Sequence, residues 1–429
     1  MHFHLPLLLF LLVTVVPSDA GLLAQGSDSL VHAAHFAHRR AIKRSTGLAQ
    51  DLRRAFAGIL LDQPSSSGTT GRVYCVSVSG LSSNNTSSTG SGSNGTATSV
   101  SSGSAASASG TSSSGSSGGS SSPWKLIQSY QGSNFFDGWD FFADADPTHG
   151  TVQYVDQGTA QSSNLTEING QGHAIMRVET TPQVSGNRMS VRITTTATYT
   201  GGLVILDAVH MPTGCATWPA FWSNGPNWPA GGEIDIVEGV NDYSNNQATI
   251  HTNPGCTIPS SNSSALNITG TVVGGTNCAA AETGNAGCGI TATQSNTYGV
   301  GFNSNGGGVY AMQWVNSGIS VFFFPRSSIP SDITAGAPQP SNWDQPMAFW
   351  PATDCNPFQF FNSHSAIFDT TLCGDWAGSV WDSAGAAGQA QSCAQRTGVS
   401  TCEAFVAGNG TAFADAYWEV SYVKIFQSS

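Results

Sequence analysis

Residues 123–429 of this 429-residue chain predict an all-β fold, an antiparallel two-sheet sandwich, and three observations carry that reading. Short β-branched or aromatic runs recur, clusters of Gly, Asn, Ser and Pro separate them, and no helical pattern alternates with them. In chain order the predicted strands are Met189-Ser-Val-Arg-Ile193, Leu203-Val-Ile-Leu-Asp-Ala-Val209, Val309-Tyr-Ala-Met-Gln-Trp-Val315, Ile319-Ser-Val-Phe-Phe-Phe324 and Trp418-Glu-Val-Ser-Tyr-Val-Lys-Ile-Phe426. The one stretch of helix-like composition is Ala-rich, from Ala384 to Ala407.

The rest of the chain is different in kind. Residues 65–122 are mostly Ser, Gly and Thr, with almost no large apolar side chains, so they cannot bury enough surface to offset the entropy of ordering. They read as a disordered linker. Residues 123–429 hold all eleven tryptophans and are long enough to bury a sizeable core. Charge divides at the same boundary: residues 1–122 carry seven Lys and Arg against four Asp and Glu, residues 123–429 seven against twenty-two. So acidic a domain repels phosphate backbones, and nucleic acid is not an expected partner, whereas an uncharged glycan is compatible with it.

Residues 1–20 hold an apolar run from Leu5 to Val16 followed by Pro17-Ser-Asp-Ala20, the pattern of a secretory signal. About twelve apolar residues fall short of the roughly 20 of a spanning helix, so no stable membrane span is expected and the protein is read as extracellular, free or wall-associated. Residues 21–64 are basic and helix-prone, with Arg39-Arg40, Lys43-Arg44 and Arg53-Arg54 as sites for proteolytic trimming; an uncleaved basic helix is the competing reading. His32, His35 and His38 share roughly one helical face there but have no nearby acids or thiols to complete a metal site. Cys75 stands apart from the eight cysteines of the folded domain, Cys215, Cys256, Cys278, Cys288, Cys355, Cys373, Cys393 and Cys402. Their spacing lacks short Cys-x-x-Cys units, so disulfides are expected and not zinc, with Cys278–Cys288 and Cys393–Cys402 as local pairs. Sequons at Asn84, Asn85, Asn94, Asn164, Asn262, Asn267 and Asn409 fit a secreted glycoprotein.

Between Gly231 and Gly239 the chain reads Gly-Gly-Glu-Ile-Asp-Ile-Val-Glu-Gly, three acids in a short, otherwise β-branched run. In a regular strand Glu233 and Asp235 share a face and Glu238 points away. A β-bulge at Ile236-Val237 would turn Glu238 back to the face of the other two. The competing reading is a half-exposed strand with solvated acids. It fits poorly, because three like charges repel while Ile234, Ile236 and Val237 demand burial of the opposite face. Retaining glycoside hydrolysis needs two carboxyl groups about 5–5.5 Å apart, one as nucleophile and one as acid and then base. Chemistry permits Glu233 and Glu238 to fill these places but does not order them.

Glu233-Ile-Asp-Ile-Val-Glu238, preceded by Trp218-Pro-Ala-Phe-Trp222 and followed by His251-Thr-Asn-Pro-Gly-Cys256, resembles the active-site block of glycoside hydrolase family 16, in its fungal laminarinase-like endo-β-1,3(4)-glucanase branch. The resemblance runs from about Trp124 to Gln427 and includes Phe135-Phe-Asp-Gly-Trp-Asp140 and Asp369-Thr-Thr-Leu-Cys-Gly-Asp-Trp-Ala-Gly378. It implies a β-jelly roll of the concanavalin A-like kind over residues 123–429, with a β-glucan in the cleft of its concave sheet. It further implies Glu233 as nucleophile, Glu238 as acid/base, Asp235 hydrogen-bonded between them, no organic cofactor, no catalytic metal, and a monomer.

Sugars offer an apolar face for stacking, so Trp218 and Trp222 are the first candidates for platforms and Trp376 the next, against the alternative of ordinary core packing. His251 is expected on the strand paired with the acids, because only Asn241 to Asn246 need form the turn, and the family pattern puts it near the leaving group. Asn227 and Trp228, in the loop from Ser223 to Gly232, are further substrate contacts, while His364 and His210 have weaker claims. Two other functions use the same residues: a wall-remodelling transglycosylase, which keeps the acids, and a non-catalytic wall glycan-binding protein, which would have a damaged acid set.

Overall fold

The structure, a computed structural model, describes residues 122–428. The signal-like segment, the basic region, nearly all of the linker, Cys75, His32, His35, His38 and the sequons at Asn84, Asn85 and Asn94 lie outside the described residues.

Two eight-stranded antiparallel sheets form a jelly-roll-like sandwich. The cleft sheet runs, in spatial order, Thr271–Val273, Cys288–Thr291, Gln247–His251, Glu233–Glu238, Thr217–Asn224, Ser365–Leu372, Arg192–Thr195 and Trp139–Phe141. The back sheet runs Ala348–Pro351, Gly318–Pro325, Gly308–Val315, Gly202–His210, Tyr417–Ser428, Ala174–Arg177 and Thr166–Ile168, and Trp124–Gln131 pairs with Tyr417–Ser428 as well.

Alternation decides what each cleft-sheet strand buries. Phe221, Ile234, Ala248, Ile250, Ala366 and Phe368 enter the core shared with the back sheet, where they meet Val204, Leu206, Met312, Trp314, Val321 and Trp418. Their chain neighbours Ala220, Trp222, Glu233, Asp235, Gln247, Thr249, His251 and Asp369 face the cleft. The back sheet is covered on both faces: Leu203 and Ile205 join a second cluster with Val309, Ala311, Phe322 and Ile333. That is why Leu203 to Val209 reads as a nearly continuous apolar run.

The predicted strands at 203–209, 309–315, 319–324 and 418–426 fall within Gly202–His210, Gly308–Val315, Gly318–Pro325 and Tyr417–Ser428. Met189 to Ile193 is instead split. Arg188–Ser190 pairs in parallel with Val152–Tyr154, and Arg192–Thr195 joins the cleft sheet. The Ala-rich stretch is helical only over Cys393–Thr397 and Cys402–Gly408. Gly385 and Gly388 stand at φ 85, and a side chain at Gly388 would sit 1.9 Å from Ser244 Oγ, so the chain before Ser392 packs as a loop against the 243–246 turn. Short helices such as Gln157–Ser162 and Gly299–Ser304 escape the sequence pattern because six residues show less than two turns of periodicity.

Four disulfides tie the domain: Cys215–Cys393, Cys256–Cys355, Cys278–Cys288 and Cys373–Cys402. The local pair Cys278–Cys288 forms as expected, but Cys393–Cys402 does not. The two short helices carrying these cysteines dock on different strand ends. Cys393 meets Cys215, just before Thr217–Asn224, and Cys402 meets Cys373, just after Ser365–Leu372. Both bonds therefore anchor the 379–416 excursion to two adjacent strands of the cleft sheet, Thr217–Asn224 and Ser365–Leu372. Arg188 adds a third tie, its buried guanidinium donating to the carbonyls of Glu179, Thr181 and Val406.

Replacing Cys215 and Cys393 together by Ala frees a 178-residue separation in the unfolded chain, and is expected to lower stability by roughly 2–5 kcal/mol. The shift of the urea midpoint measures it, and an unchanged midpoint would contradict this account.

Candidate active site

The acid strand Glu233–Glu238 lies between Gln247–His251 and Thr217–Asn224. Its pairing shows why three acids share one face. Against Thr217–Asn224, Asp235 opposes Trp222 and Val237 opposes Phe221, so Ile236 is left without a partner. Against Gln247–His251, Asp235 opposes Thr249 and Glu238 opposes Gln247, three steps against two. The bulge expected at Ile236-Val237 is therefore present, with Ile236 as the extra residue. Ile234, Ile236 and Val237 all reach the core, and Glu233, Asp235 and Glu238 all line a cleft of about 820 Å³.

A buried side chain secures the bulge. Asn246 donates from Nδ2 to the carbonyl of Ile236 at 2.9 Å and accepts at Oδ1 from the backbone N–H of Glu238 at 3.0 Å. The carboxyl of Glu238 is held separately, accepting at Oε1 from the indole N–H of Trp218 at 2.9 Å.

Four carboxyl groups crowd this surface, since Asp369 of Ser365–Leu372 stands in register with Ala220, which in turn opposes Glu238. Burial pushes Glu233 up to about 8, with Asp235 adding to the rise and His251 opposing it, while a hydrogen bond from Trp228 also favours the anion. Burial likewise raises Glu238 to about 8, again with Asp235 adding and the Trp218 hydrogen bond opposing. Asp235 is pushed well above the carboxylate range by burial and by Asp369. Asp369 itself rises to about 7 through burial, moderated by Arg192 and by an N–H bond from Trp222 at 3.2 Å. The cleft can therefore hold carboxyl protons near neutrality, as a general acid requires.

His251 opposes Glu233 in the register, as the short turn implied. Its Nε2 is 3.3 Å from Asp235 Oδ2 and 3.8 Å from Glu233 Oε1. Gly287, at φ 58, covers the other side of the ring, where a Cβ would come within 2.9 Å of Nδ1.

Trp218, Trp222, Trp228 and Trp376 all line the cleft. Trp218 meets Trp376 edge to face with ring centroids 5.8 Å apart, and Arg192 lies over Trp222 at 5.1 Å, leaving Trp222 one face for a sugar. Asn227 is exposed at φ 56 and is not among the cleft-lining residues. His364 and His210 are committed elsewhere. The buried His364 contacts Ser223 Oγ and the Gly231 carbonyl at 2.9 Å each, and burial lowers its pKa to about 4. His210 bonds the Tyr417 carbonyl and the Asn303 amide while stacking on Tyr417.

The sequence reading assigned no role to Asp146, Arg192, Asn246, Thr249 or Asp369. Asp369 lay inside a motif already singled out, but only strand order brings it beside the acids. Among the described residues, Glu233, Asp235 and His251 offer metal-ligand atoms within 4.8 Å of one another, as do Cys215, Asp242 and Cys393, whose sulfurs are joined in a disulfide. The first set includes Glu233, the nucleophile of the chemistry proposed below.

An acid-floored cleft with tryptophan walls on an antiparallel jelly roll is the architecture of a glycoside hydrolase, and comparison with known proteins agrees. A family model described as "XgeA-like, catalytic GH16 domain" matches residues 139–426. A Schizosaccharomyces pombe protein named "Probable glycosidase" is 43% identical over 307 residues, which cover 71% of this chain and 69% of that one. An Aspergillus niger protein named "Probable endo-1,3(4)-beta-glucanase" is 42% identical over 313 residues, covering 72% of this chain but 41% of that one, so this chain spans under half of its length. Among solved structures, laminarinase 16A of Phanerochaete chrysosporium, with two beta-glucans in donor and acceptor sites, gives a TM-score of 0.64 at 41% identity over 71% of this chain and 99% of that one. An elongating family 16 beta-1,3-glucosyltransferase gives 0.64 at 40% identity over 71% and 100%. The chain belongs to glycoside hydrolase family 16.

The raised carboxyls make stability depend on pH. Glu233 and Glu238 hold their protons more tightly folded than unfolded, so their contribution is complete below the ordinary value of 4.5 and is lost as pH rises through about 8. Glu233→Gln and Glu238→Gln should each flatten the fall in melting temperature over that interval and be more stable than the parent at its alkaline end. Melting curves identical in slope to the parent's would refute the assignment.

Proposed function

We propose that this chain is a secreted endo-β-glucanase that hydrolyses internal β-1,3 or mixed β-1,3/1,4 linkages with retention, acting as a monomer. The observation that carries the reading is the bulged strand, which sets Glu233, Asp235 and Glu238 along the floor of one cleft. The cleft crosses the sheet, with lining residues from Val273 on one side of the acid strand to Arg192 on the other. A chain laid across the strands has sugars on both sides of the acids, which suits internal cleavage. Leader-like residues 1–20 and four disulfides in the described domain support secretion.

In this mechanism Glu233 attacks the anomeric carbon while Glu238 protonates the departing glycosidic oxygen, and a glycosyl ester forms on Glu233. Glu238, now ionised, takes a proton from water as that water displaces Glu233 from the sugar. Burial raises both carboxyls to about 8 while His251 favours the anion at each, so the pair can carry one proton and one charge near neutrality. Asp235, between them, raises both and so opposes a second charge nearby. The assignment of Glu233 as nucleophile and Glu238 as acid/base follows the order of the acids in the family block.

A second reading is transfer of the same intermediate to a sugar acceptor, and it draws on the likeness to a solved beta-1,3-glucosyltransferase at 40% identity. A non-catalytic binding protein is disfavoured by the complete acid set in the cleft.

The test is laminarin and lichenan digestion with product sizing and anomer detection by NMR. Internal cuts, rising reducing ends and initial release of the β-anomer are expected. Glu233→Gln and Glu238→Gln should each lower kcat by about 10²-fold or more, with Asp235→Asn milder. Undiminished turnover of Glu238→Gln on laminarin would sink the assignment, and constant reducing ends with lengthening products would select transfer.

A further inference from the structure

We propose that Asn246 is a positioning residue for the reaction: its side-chain amide holds the bulge in the one shape that aligns Glu238 with Glu233. The inference rests on the retaining mechanism above. A bulge inserts a residue whose peptide groups have no ladder partner, and here those groups are buried. Asn246 immediately precedes Gln247–His251 and is itself fully buried. Its amide supplies what the ladder lacks, a donor for the Ile236 carbonyl at 2.9 Å and an acceptor for the Glu238 N–H at 3.0 Å. In effect the side chain imitates a further peptide unit of the neighbouring strand.

Both contacts constrain the residue type. Asp lacks the donor when ionised, Leu lacks both groups, and the longer Gln would displace one contact or the other. Asn246 is in turn fixed by its own backbone, whose N–H donates to Thr297 Oγ1 at 2.9 Å and whose carbonyl accepts from Ala292 N at 2.8 Å. Glu238 is thus gripped twice, at its backbone by Asn246 and at its carboxyl by Trp218. Without the first grip the strand can relax toward regular alternation, which turns Glu238 away from the cleft and leaves Glu233 in place.

That difference gives a test separable from general loss of structure. Asn246→Ala is compared with the parent on laminarin and on 2,4-dinitrophenyl β-laminaribioside, whose leaving group needs no proton. The expected result is a fall in kcat on laminarin of about 10²-fold, with the first-turnover burst of dinitrophenolate within about tenfold of the parent's. Azide, which attacks the glycosyl ester without a base and yields a glycosyl azide as Glu233 departs, should restore turnover of the aryl glycoside. Equal losses on both substrates, no loss on laminarin, or no response to azide would each overturn the proposal. Asn246→Asp, which keeps the volume and the acceptor facing Glu238, should show the same selective loss above the pH at which the new carboxyl ionises. If neither variant folds, as judged by circular dichroism, the residue is structural and the proposal fails. Anomer detection on the parent protein keeps the two readings apart, since an inverted product would refute the retaining mechanism whatever the variants do.

Discussion

A strand has two faces and a period of two, and the acid strand must satisfy both while burying three apolar residues and presenting three acids. Ile234, Ile236 and Val237 cannot all reach the core from a regular strand that also keeps Glu233, Asp235 and Glu238 on the other side. One unpaired residue, Ile236, resolves the conflict. Much of the site follows from that single irregularity. Asn246 closes the gap in the ladder, Trp218 reaches the carboxyl that the bulge has turned, and His251 stands opposite Glu233 because the turn between the strands is short.

The electrostatic consequence is a surface that the fold tolerates and does not favour. Four carboxyl groups share a low-dielectric floor, and each is raised chiefly by its own burial. The relief available comes from indole N–H groups, Arg192 and His251, placed at the edges of the acid row. Such conflict is typical of sites shaped for chemistry, and stability elsewhere offsets it. Here the offset lies in a core that joins two eight-stranded sheets and in disulfides that lock an excursion to Thr217–Asn224, beside the acid strand, and to Ser365–Leu372, the next strand along.

The tryptophans illustrate how far one residue type can be divided among tasks. Trp218 lines the cleft but spends its N–H on Glu238. Trp222 lines it under the guanidinium of Arg192 and spends its N–H on Asp369, while Trp228 supports Glu233. Reading them only as stacking platforms misses that the indole N–H groups tune three of the four acids. Trp314, Trp350 and Trp418, by contrast, are fully buried in the core between the sheets.

By itself the sequence determined the fold class, the longer strands of the back sheet, the acid row and the need for a bulge, because each of these follows from residue type and spacing within one short segment. Glu233 to Glu238 carried their own contradiction, three apolar and three acidic side chains on a period of two, and a bulge was the local way out. His251 was reachable because the intervening turn left few alternatives. Tertiary structure alone decided the rest. Asp369 and Arg192 join the acids through strand order, and Asn246 shows its task only when the gap in the ladder is seen beside it. Cys393 and Cys402 are close in sequence yet bond to Cys215 and Cys373, because their helices dock on different strand ends. Local pattern encodes which face a side chain takes, whereas the identity of its cross-strand neighbours depends on how distant segments are ordered in the sheet.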